Sequence, residues 1–396
     1  YLYLVYFING KIMRRDHFKE EHILFRDAVK RFAAEEIAPH NDHWEEQGIC
    51  DRSMYTAAAN FGFLGPQVDE KYGGVGINDF RYNQILMEEF EFAGVGSAGS
   101  GIAMHNDIVI PYFIEFCTEE QKQRWLPGLC SGELVGAIAM TEPSVGSDLG
   151  NLRTTATVDG DQYIVNGAKT FISNGINADV LVTAVRTAGG GHRGVSLLVI
   201  ERDMLGFTRG NNLNKIGRHS QDTAELSFAD CAVPLANRLG EENKGFYYMM
   251  FNLAQERLNI AMSAIAAASY SFGLTLAYIK EREAFGQKIG EFQNTRFIMA
   301  ELATEIKIGQ SFVDRCVMAH NDKELTPEEA AMAKMWTTEL QKKVNDQCLQ
   351  LHGGYGYMED YDIARAWRDG RVQTIYGGTT EIMKEIVSKS LGLSKG

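Results

Sequence analysis

The spacing of hydrophobic side chains changes twice along the chain, and its first part has the spacing of amphipathic helices. Phe18, Phe25, Val29 and Phe32 recur every three to seven residues, with charged residues largely between them. The same pattern returns at residues 81–92 and 108–116. Pro39 is expected to end the first helix. Residues 13–132 are therefore predicted to form an N-terminal helical domain.

Residues 133–242 show shorter, β-branched runs. Residues 155–165 predict two strands around an Asp159-Gly160-Asp161 turn, and residues 180–185 and 195–200 predict two more. Asn-Gly pairs at 166–167 and 174–175 predict further turns. We expect a small middle β-domain, an antiparallel barrel or sandwich.

The last part of the chain returns to helical spacing. Residues 246–282, 291–320 and 327–351 are long stretches with few helix-breaking residues, and no proline falls between 235 and 326. Long helices of this kind pack as bundles. Residues 243–396 are therefore predicted to form a C-terminal four-helix bundle, and the fold class is α+β.

Net charge, cysteine spacing and hydrophobic composition limit the kinds of partner and site that this chain is expected to have. The chain has 396 residues and a formal net charge of −13, which disfavours nucleic acid as a partner. Its six cysteines form no CxxC pair, so we expect free thiols and no metal site. No uninterrupted apolar run reaches the length needed to cross a bilayer, so no membrane span is expected. Residues 1–12 precede Met13, which resembles a translation start, and these residues are not expected to contribute to the fold. A cytoplasmic location is expected, with a processed mitochondrial-matrix form as the alternative.

Several short motifs occur in a fixed order. They are TEPSVGSD at residues 141–148, TFISNG at 170–175, REAFG at 282–286, LHGGYGY at 351–357 and IYGGT at 375–379. In order and separation they resemble the acyl-CoA dehydrogenases, and most closely the long-chain branch of that family. The resemblance implies FAD as cofactor, an acyl-CoA substrate and the three-domain fold expected above.

The catalytic base is the point at which this chain departs from most of the family. Most members carry a glutamate where this sequence has Gly377, whereas the long-chain and isovaleryl branches carry it on the first long helix of the bundle, at Glu256. The residues three and four positions from Glu256 include no lysine or arginine. A carboxyl group buried there without a cation would have a raised pKa, as a general base needs. A partly buried structural glutamate is the alternative.

The resemblance also implies roles for other residues. Flavin contacts in the middle domain are expected from Met140, Thr141, Ser147, Phe171 and Ser173. Six residues are expected to contact the FAD of a neighbouring subunit: Arg282, Phe285, Gln293, Gln350, Gly353 and Gly354. Thr379 and Glu381 are expected to make the closing contacts of that site. Substrate contacts are expected from Ala103, Leu253, Arg257, Tyr376 and Gly378, and a backbone N–H that polarises the thioester from Gly377.

The predicted reaction is oxidation of a medium- or long-chain acyl-CoA, straight or branched, to the trans-2-enoyl-CoA. Glu256 would remove the Cα proton while a hydride passes from Cβ to flavin N5. The expected partners are an electron-transfer flavoprotein as acceptor and further copies of the chain, most often in a tetramer. An acyl-CoA oxidase or a flavin-dependent monooxygenase of the same fold remains an alternative, as does a non-catalytic relative.

Overall fold

The computed structural model describes residues 15–393. Residues 1–12, which are not expected to contribute to the fold, lie outside this described part. Its first part is helical, as predicted. The helices are α1 (Glu20–Phe32), α2 (Ala38–Gln47), α3 (Ser53–Asn60), α4 (Phe80–Phe92), α5 (Gly96–Ala103), α6 (Ile110–Phe116) and α7 (Glu119–Ser131). Their buried side chains, among them Phe32, Tyr55 and Phe90, form a core under α1 to α5.

The predicted stop at Pro39 is wrong. One π-helical turn, Ala33–Ile37, connects α1 directly to α2, and Pro39 lies in the first turn of α2. Proline is tolerated there because the first-turn N–H groups of a helix have no acceptor within it. The helix ends instead at Gly48, whose φ of +75° is favourable only for glycine.

The middle part is one eight-stranded sheet. Its strands are β1 (Gly136–Ala139), β2 (Thr155–Asp159), β3 (Gln162–Ser173), β4 (Val180–Arg186), β5 (Val195–Glu201), β6 (Phe207–Asn212), β7 (Thr223–Pro234) and β8 (Arg238–Leu239). They lie in the order β6-β7-β3-β2-β4-β5-β8, with β1 beside β4. The pairings are antiparallel as predicted, except that β1 and the start of β2 each pair in parallel with β4.

Two of the three predicted turns are present. The chain turns between Asp159 and Gln162 and again at residues 174–175. The Asn166-Gly167 turn is wrong, because β3 runs straight through this pair and bulges against β7. Gly167 has a φ of +150°, and a Cβ there would collide with Thr154. The glycine therefore serves a strand bulge, which local sequence does not distinguish from a turn.

The last part contains α8 (Gly245–Glu281), a short hairpin of β9 (Glu283–Ala284) and β10 (Gln287–Lys288), and the helices α9 (Gln293–Asn321), α10 (Pro327–His352), α11 (Asp362–Gly370) and α12 (Thr380–Ser390). Helix α10 packs against α8, α9 and α12. Leu258, Ile265, Leu302, Val313 and Val344 belong to the buried core between the three long helices. The order of helical, β and helical parts is the predicted one.

Helix α8 corrects the expectation that no segment has the length and apolar composition to cross a bilayer. It has both, but 78% of its most apolar 18-residue window is buried inside the protein. Central core helices have the same composition, so this is weak support for a membrane span. The six cysteines all lie in the described part and are free thiols.

Candidate active site

Glu256 lies on the inner face of α8 with 6% of its surface exposed. The hydroxyl group of Tyr112, from α6, donates a hydrogen bond of 3.2 Å to Glu256 Oε1. Burial raises the pKa of Glu256 to about 7, although the Tyr112 hydrogen bond and the charge of Arg257 both oppose the shift. A carboxyl group with this pKa is ionised in part at neutral pH and can accept a proton there.

The surroundings of Glu256 are more polar than the sequence indicated. Asn252, one turn earlier, interacts with the Tyr112 hydroxyl group, whereas Arg257 has a buried Nε with no hydrogen-bond partner among residues 15–393. Unsatisfied buried donors are uncommon, and at a binding site they commonly mark where a ligand accepts hydrogen bonds. Burial lowers the pKa of Arg257, but its guanidinium remains cationic at neutral pH. Leu253 lies on the same side of α8 and is partly exposed.

Gly377 packs directly against α8, one turn beyond Glu256. A Cβ at position 377 would collide with Ile260 Cδ1, and Ile260 is four residues from Glu256 on the same helix face. The φ values of Gly377 and Gly378 are +62° and +97°, in the left-handed region that favours glycine. The structure therefore brings the proposed base and the proposed backbone donor to the same region of α8.

The residues on both sides of Gly377 are tied to the protein interior. The Tyr376 hydroxyl donates to Gln373 Oε1 at 2.7 Å, and Gln373 Nε2 donates to Ser263 Oγ at 2.9 Å. On the other side, Lys334 Nζ donates to the carbonyl oxygen of Gly378 at 2.5 Å. None of Gln373, Ser263 and Lys334 was singled out from the sequence.

A second group of predicted residues meets at one end of the sheet. Phe171 lies in a bulge of β3 with a φ of +60°, and 67% of its surface is exposed. A large ring held outward in a left-handed backbone conformation offers a flat apolar face. Ser173 follows on the same strand and is partly exposed, and the Thr170 N–H donates to the Thr141 carbonyl at 3.0 Å. The loop after β1 thus lies beside Phe171.

A buried ion pair holds that loop in place. Lys169 Nζ donates to Glu142 Oε1 at 2.9 Å and to the Met140 carbonyl at 3.0 Å. Glu142 in turn accepts the N–H groups of Arg153 and Thr154. Met140 and Thr141 are partly exposed, and Ser147 is exposed. Met140 and Thr141 therefore lie beside the part of β3 that carries Phe171 and Ser173.

A third group lies at the far end of the bundle. Arg282 ends α8, and its guanidinium lies 5.3 Å from the centre of the Tyr355 ring, which follows the Gly353-Gly354 pair. Phe285, at the tip of the hairpin, is 97% exposed with a φ of +51°. The other exposed members are Gln293, Gln350, Gly353 and Gly354. Arg282 is about 39 Å from Glu256 along α8, so one chain does not bring this group to Glu256.

The remaining predicted residues are placed as follows. Thr379 caps α12 by accepting the N–H of Ile382, and Glu381 is exposed in the first turn of that helix. Ala103 is buried at the end of α5, in the hydrophobic core cluster that includes Leu258. The π-helical segment Met104–Val109 after it was missed in the sequence.

Comparison with known proteins agrees with this architecture over nearly the whole chain. Three family models match: acyl-CoA dehydrogenase N-terminal domain at residues 19–133, middle domain at 137–231 and C-terminal domain at 243–392. The long-chain specific mitochondrial acyl-CoA dehydrogenase of Sus scrofa is 45% identical over 377 residues, covering 94% of this chain and 87% of the relative.

Solved structures agree as well. The acyl-CoA dehydrogenase from Geobacillus kaustophilus superposes with a TM-score of 0.93 at 53% identity, covering 95% of this chain and 99% of that one. The prolyl acyl carrier protein oxidase AnaB, at 28% identity, has a TM-score of 0.88 and coverages of 95% and 100%. With all three domains matched in order, the chain belongs to the acyl-CoA dehydrogenase family of oxidoreductases.

Proposed function

We propose that this protein oxidises medium- to long-chain acyl-CoA thioesters, straight or branched, to trans-2-enoyl-CoA products, with Glu256 as the base. The observation that carries the proposal is the buried Glu256 carboxyl group, with a pKa of about 7, on the face of α8 against which Gly377 packs. Family membership and the 45% identity to a long-chain specific enzyme support the substrate class.

The chemistry explains why a base and a backbone donor are needed together. The Cα proton of a thioester is too weakly acidic for a carboxylate unless the carbonyl oxygen is stabilised as negative charge develops on it. Glu256 removes the proton, and Tyr112 holds the carboxylate in position through its hydrogen bond. The Gly377 N–H donates to the thioester carbonyl. Glycine at this position also allows the loop to lie against α8, because a Cβ there would collide with Ile260.

The surface around Phe171 fits the isoalloxazine ring of FAD. The exposed phenyl ring provides a stacking face, and the hydroxyl groups of Thr141 and Ser173, with the Met140–Thr141 backbone, provide polar contacts at the ring edge. Ser147 is exposed nearby for a phosphate group. FAD held by these residues would supply the acceptor for the hydride that leaves the substrate Cβ. Relative to the usual tryptophan and threonine of the family, Phe171 and Ser173 keep an aromatic face and a hydroxyl group.

The exposed group at the end of the bundle supports an oligomer. Arg282 is too far from Glu256 along α8 to serve the same active site, yet its guanidinium suits a pyrophosphate. We infer that Arg282, Phe285, Gln293, Gln350, Gly353 and Gly354 contact the FAD of a neighbouring subunit, and that Thr379 and Glu381 close the site, in a tetramer. An electron-transfer flavoprotein is the proposed electron acceptor.

Anaerobic mixing of the purified holoenzyme with palmitoyl-CoA tests the proposal. We expect the flavin absorbance near 450 nm to bleach rapidly, and a series from C4 to C18 with a branched member to define the preferred acyl group. Admitting air then separates two activities, since a dehydrogenase reoxidises slowly and an oxidase rapidly. The oxidase alternative needs this test because AnaB, a prolyl acyl carrier protein oxidase, has the same fold and a similar length. Lack of bleaching with every acyl-CoA would contradict the proposal and favour a monooxygenase or a binding protein.

A further inference from the structure

The Gly377-Gly378 pair contacts a buried lysine from another helix. The Lys334 side chain, on α10, is fully buried, and its ammonium group donates to the Gly378 carbonyl at 2.5 Å. Among residues 15–393 the structure records no ion pair for Lys334 and no other acceptor for its ammonium group. Burying an ammonium group against a neutral partner costs free energy. A methionine or leucine would fill the same space without that cost, so packing alone does not account for the lysine.

The ammonium group of Lys334 carries a positive charge beside this loop at neutral pH. Burial lowers the pKa of Lys334 to about 8, and the charge of Arg257 acts in the same direction, while Glu339 and Glu381 oppose the shift. Glu339 is already engaged by Thr380 and Lys342, and Glu381 is exposed on α12. Lys334 is therefore mostly protonated at pH 7, and its charge lies beside the loop that carries Gly377.

The loop needs such a restraint because of its composition. Two consecutive glycines have wide conformational freedom and no side chains to anchor them. Tyr376 is tied to Gln373 on one side, and Lys334 ties the Gly378 carbonyl on the other. Because peptide groups are planar, fixing that carbonyl fixes the whole peptide after Gly378. The two contacts together restrict the direction of the Gly377 N–H between them.

We propose that Lys334 is a positioning residue: its ammonium group holds the Gly378 carbonyl so that the Gly377 N–H stays directed at the thioester carbonyl oxygen, and its charge favours the enolate-like transition state. The inference rests on the proposed function. Donors arranged before the reaction are effective because they need no reorganisation as charge develops. A lysine that merely joined the loop to α10 would influence stability but not the polarisation of a bound thioester.

The test measures that polarisation directly. The C=O stretch of trans-2-dodecenoyl-CoA bound to the holoenzyme is recorded by Raman difference spectroscopy, together with the rate of flavin reduction by dodecanoyl-CoA. For Lys334→Met we expect the stretch to move at least halfway back to its value in water and the rate to fall about 10- to 100-fold. The ligand dissociation constant should change less than about threefold. Lys343→Met, at an exposed lysine of α10 paired with Glu305, is the control and should leave all three values unchanged.

A pH titration keeps the test decisive if Lys334→Met does not fold. In Glu256→Gln, where the base cannot titrate, the stretch of the bound ligand should move toward its value in water with a midpoint near pH 8. Lys169 has a similarly lowered pKa, so Glu256→Gln with Lys334→Arg is the control and should show no transition.

Three results would overturn the inference: a stretch unaffected by pH, a transition that persists in the Lys334→Arg control, or a folded Lys334→Met with reduction within about threefold of wild type. Failure of the proposed function is distinguishable, because the wild-type flavin would then not be reduced by any acyl-CoA.

Discussion

Tyr112 and Glu256, 144 residues apart in the chain, are joined by a buried hydrogen bond of 3.2 Å from the hydroxyl group to the carboxyl group. The bond stabilises the charged carboxylate and so limits the rise in pKa that burial causes. Tyr112 belongs to the N-terminal helices and Glu256 to the bundle, so contact between these two domains sets the basicity of the proposed catalytic group.

Replacing Tyr112 with phenylalanine removes only this hydroxyl group. We expect the pKa of Glu256 to rise above about 7, because burial then acts with less opposition. The ionisation that switches on flavin reduction should lie near pH 7 in wild type and at higher pH in Tyr112→Phe. The variant should therefore be severalfold slower than wild type at pH 7, and the ratio of the two rates should approach one above pH 9. Stopped-flow measurements from pH 6 to 10 check this.

The matched control is Tyr163→Phe, at a buried tyrosine of β3 that bonds to Glu242 rather than Glu256. Its pH profile should coincide with that of wild type. Coincident profiles for Tyr112→Phe and wild type would mean that Tyr112 only fills space.

Glu256→Gln removes the base and keeps the shape of the side chain. We expect the variant to retain FAD and to bind acyl-CoA, while flavin reduction falls by about 10² or more, the usual minimum for loss of a general base. Rapid mixing with palmitoyl-CoA measures the loss. Glu301→Gln, at an exposed glutamate of α9, should be reduced at the wild-type rate. Turnover of Glu256→Gln within about threefold of wild type would contradict the assignment.

The same substitution has a pH-dependent influence on stability. The folded-state pKa of Glu256 is above its ordinary value of 4.5, so its stabilising contribution is fully present below pH 4.5 and is lost as pH rises through about 7. Glutamine carries no charge to bury. At pH 8.5 the free energy of unfolding of Glu256→Gln should therefore exceed that of wild type by about 3 kcal/mol, since each pKa unit is worth about 1.4 kcal/mol, and at pH 5 the gain should be smaller. Calorimetry at both pH values tests the sign.

Moving the base to position 377 should restore little activity unless α8 is also changed. Glutamate at 377 must adopt a φ of +62° and place its Cβ against Ile260 Cδ1. We expect Glu256→Gly with Gly377→Glu to recover less than about 10% of the wild-type reduction rate, since left-handed strain costs on the order of 1–3 kcal/mol. Adding Ile260→Ala should raise that rate. An unchanged rate in the triple variant would mean that Ile260 is not the obstacle.

Phe171→Ala should weaken FAD binding without destabilising the fold. The ring is 67% exposed and held at a φ of +60°, so little packing is lost on truncation. We expect about a tenfold higher FAD dissociation constant, equivalent to the ~1.4 kcal/mol of a typical aromatic contact, with an unchanged melting temperature of the apoprotein. Leu205→Ala, at an 85% exposed residue of the same domain, should change neither. Equal FAD affinity in wild type and Phe171→Ala would remove Phe171 from the proposed flavin site.

Local periodicity was sufficient to predict the order of helical, β and helical parts, and the resemblance to the acyl-CoA dehydrogenases singled out Glu256 and Gly377 as the candidate base and backbone donor. Both signals depend on neighbours within a few residues, because side chains three and four apart share a helix face and alternate residues share a sheet face. The absence of a lysine or arginine three or four residues from Glu256 is likewise visible in the local sequence. The prediction was wrong where one local signal is compatible with two structures. Pro39 could end a helix or lie in its first turn, and Asn166-Gly167 could form a turn or a strand bulge; in each case the structure has the second.

Only the tertiary structure decided what surrounds the base. Tyr112 reaches Glu256 from α6, Ile260 meets Gly377, and Lys334 meets Gly378 from 44 residues away. No pattern along the chain encodes these contacts, because they arise when helices from different parts of the sequence pack together. Burial, which raises the pKa of Glu256 and lowers that of Lys334, is likewise a property of the packed interior. The sequence by itself determined which groups are available, and packing determined their charge and direction.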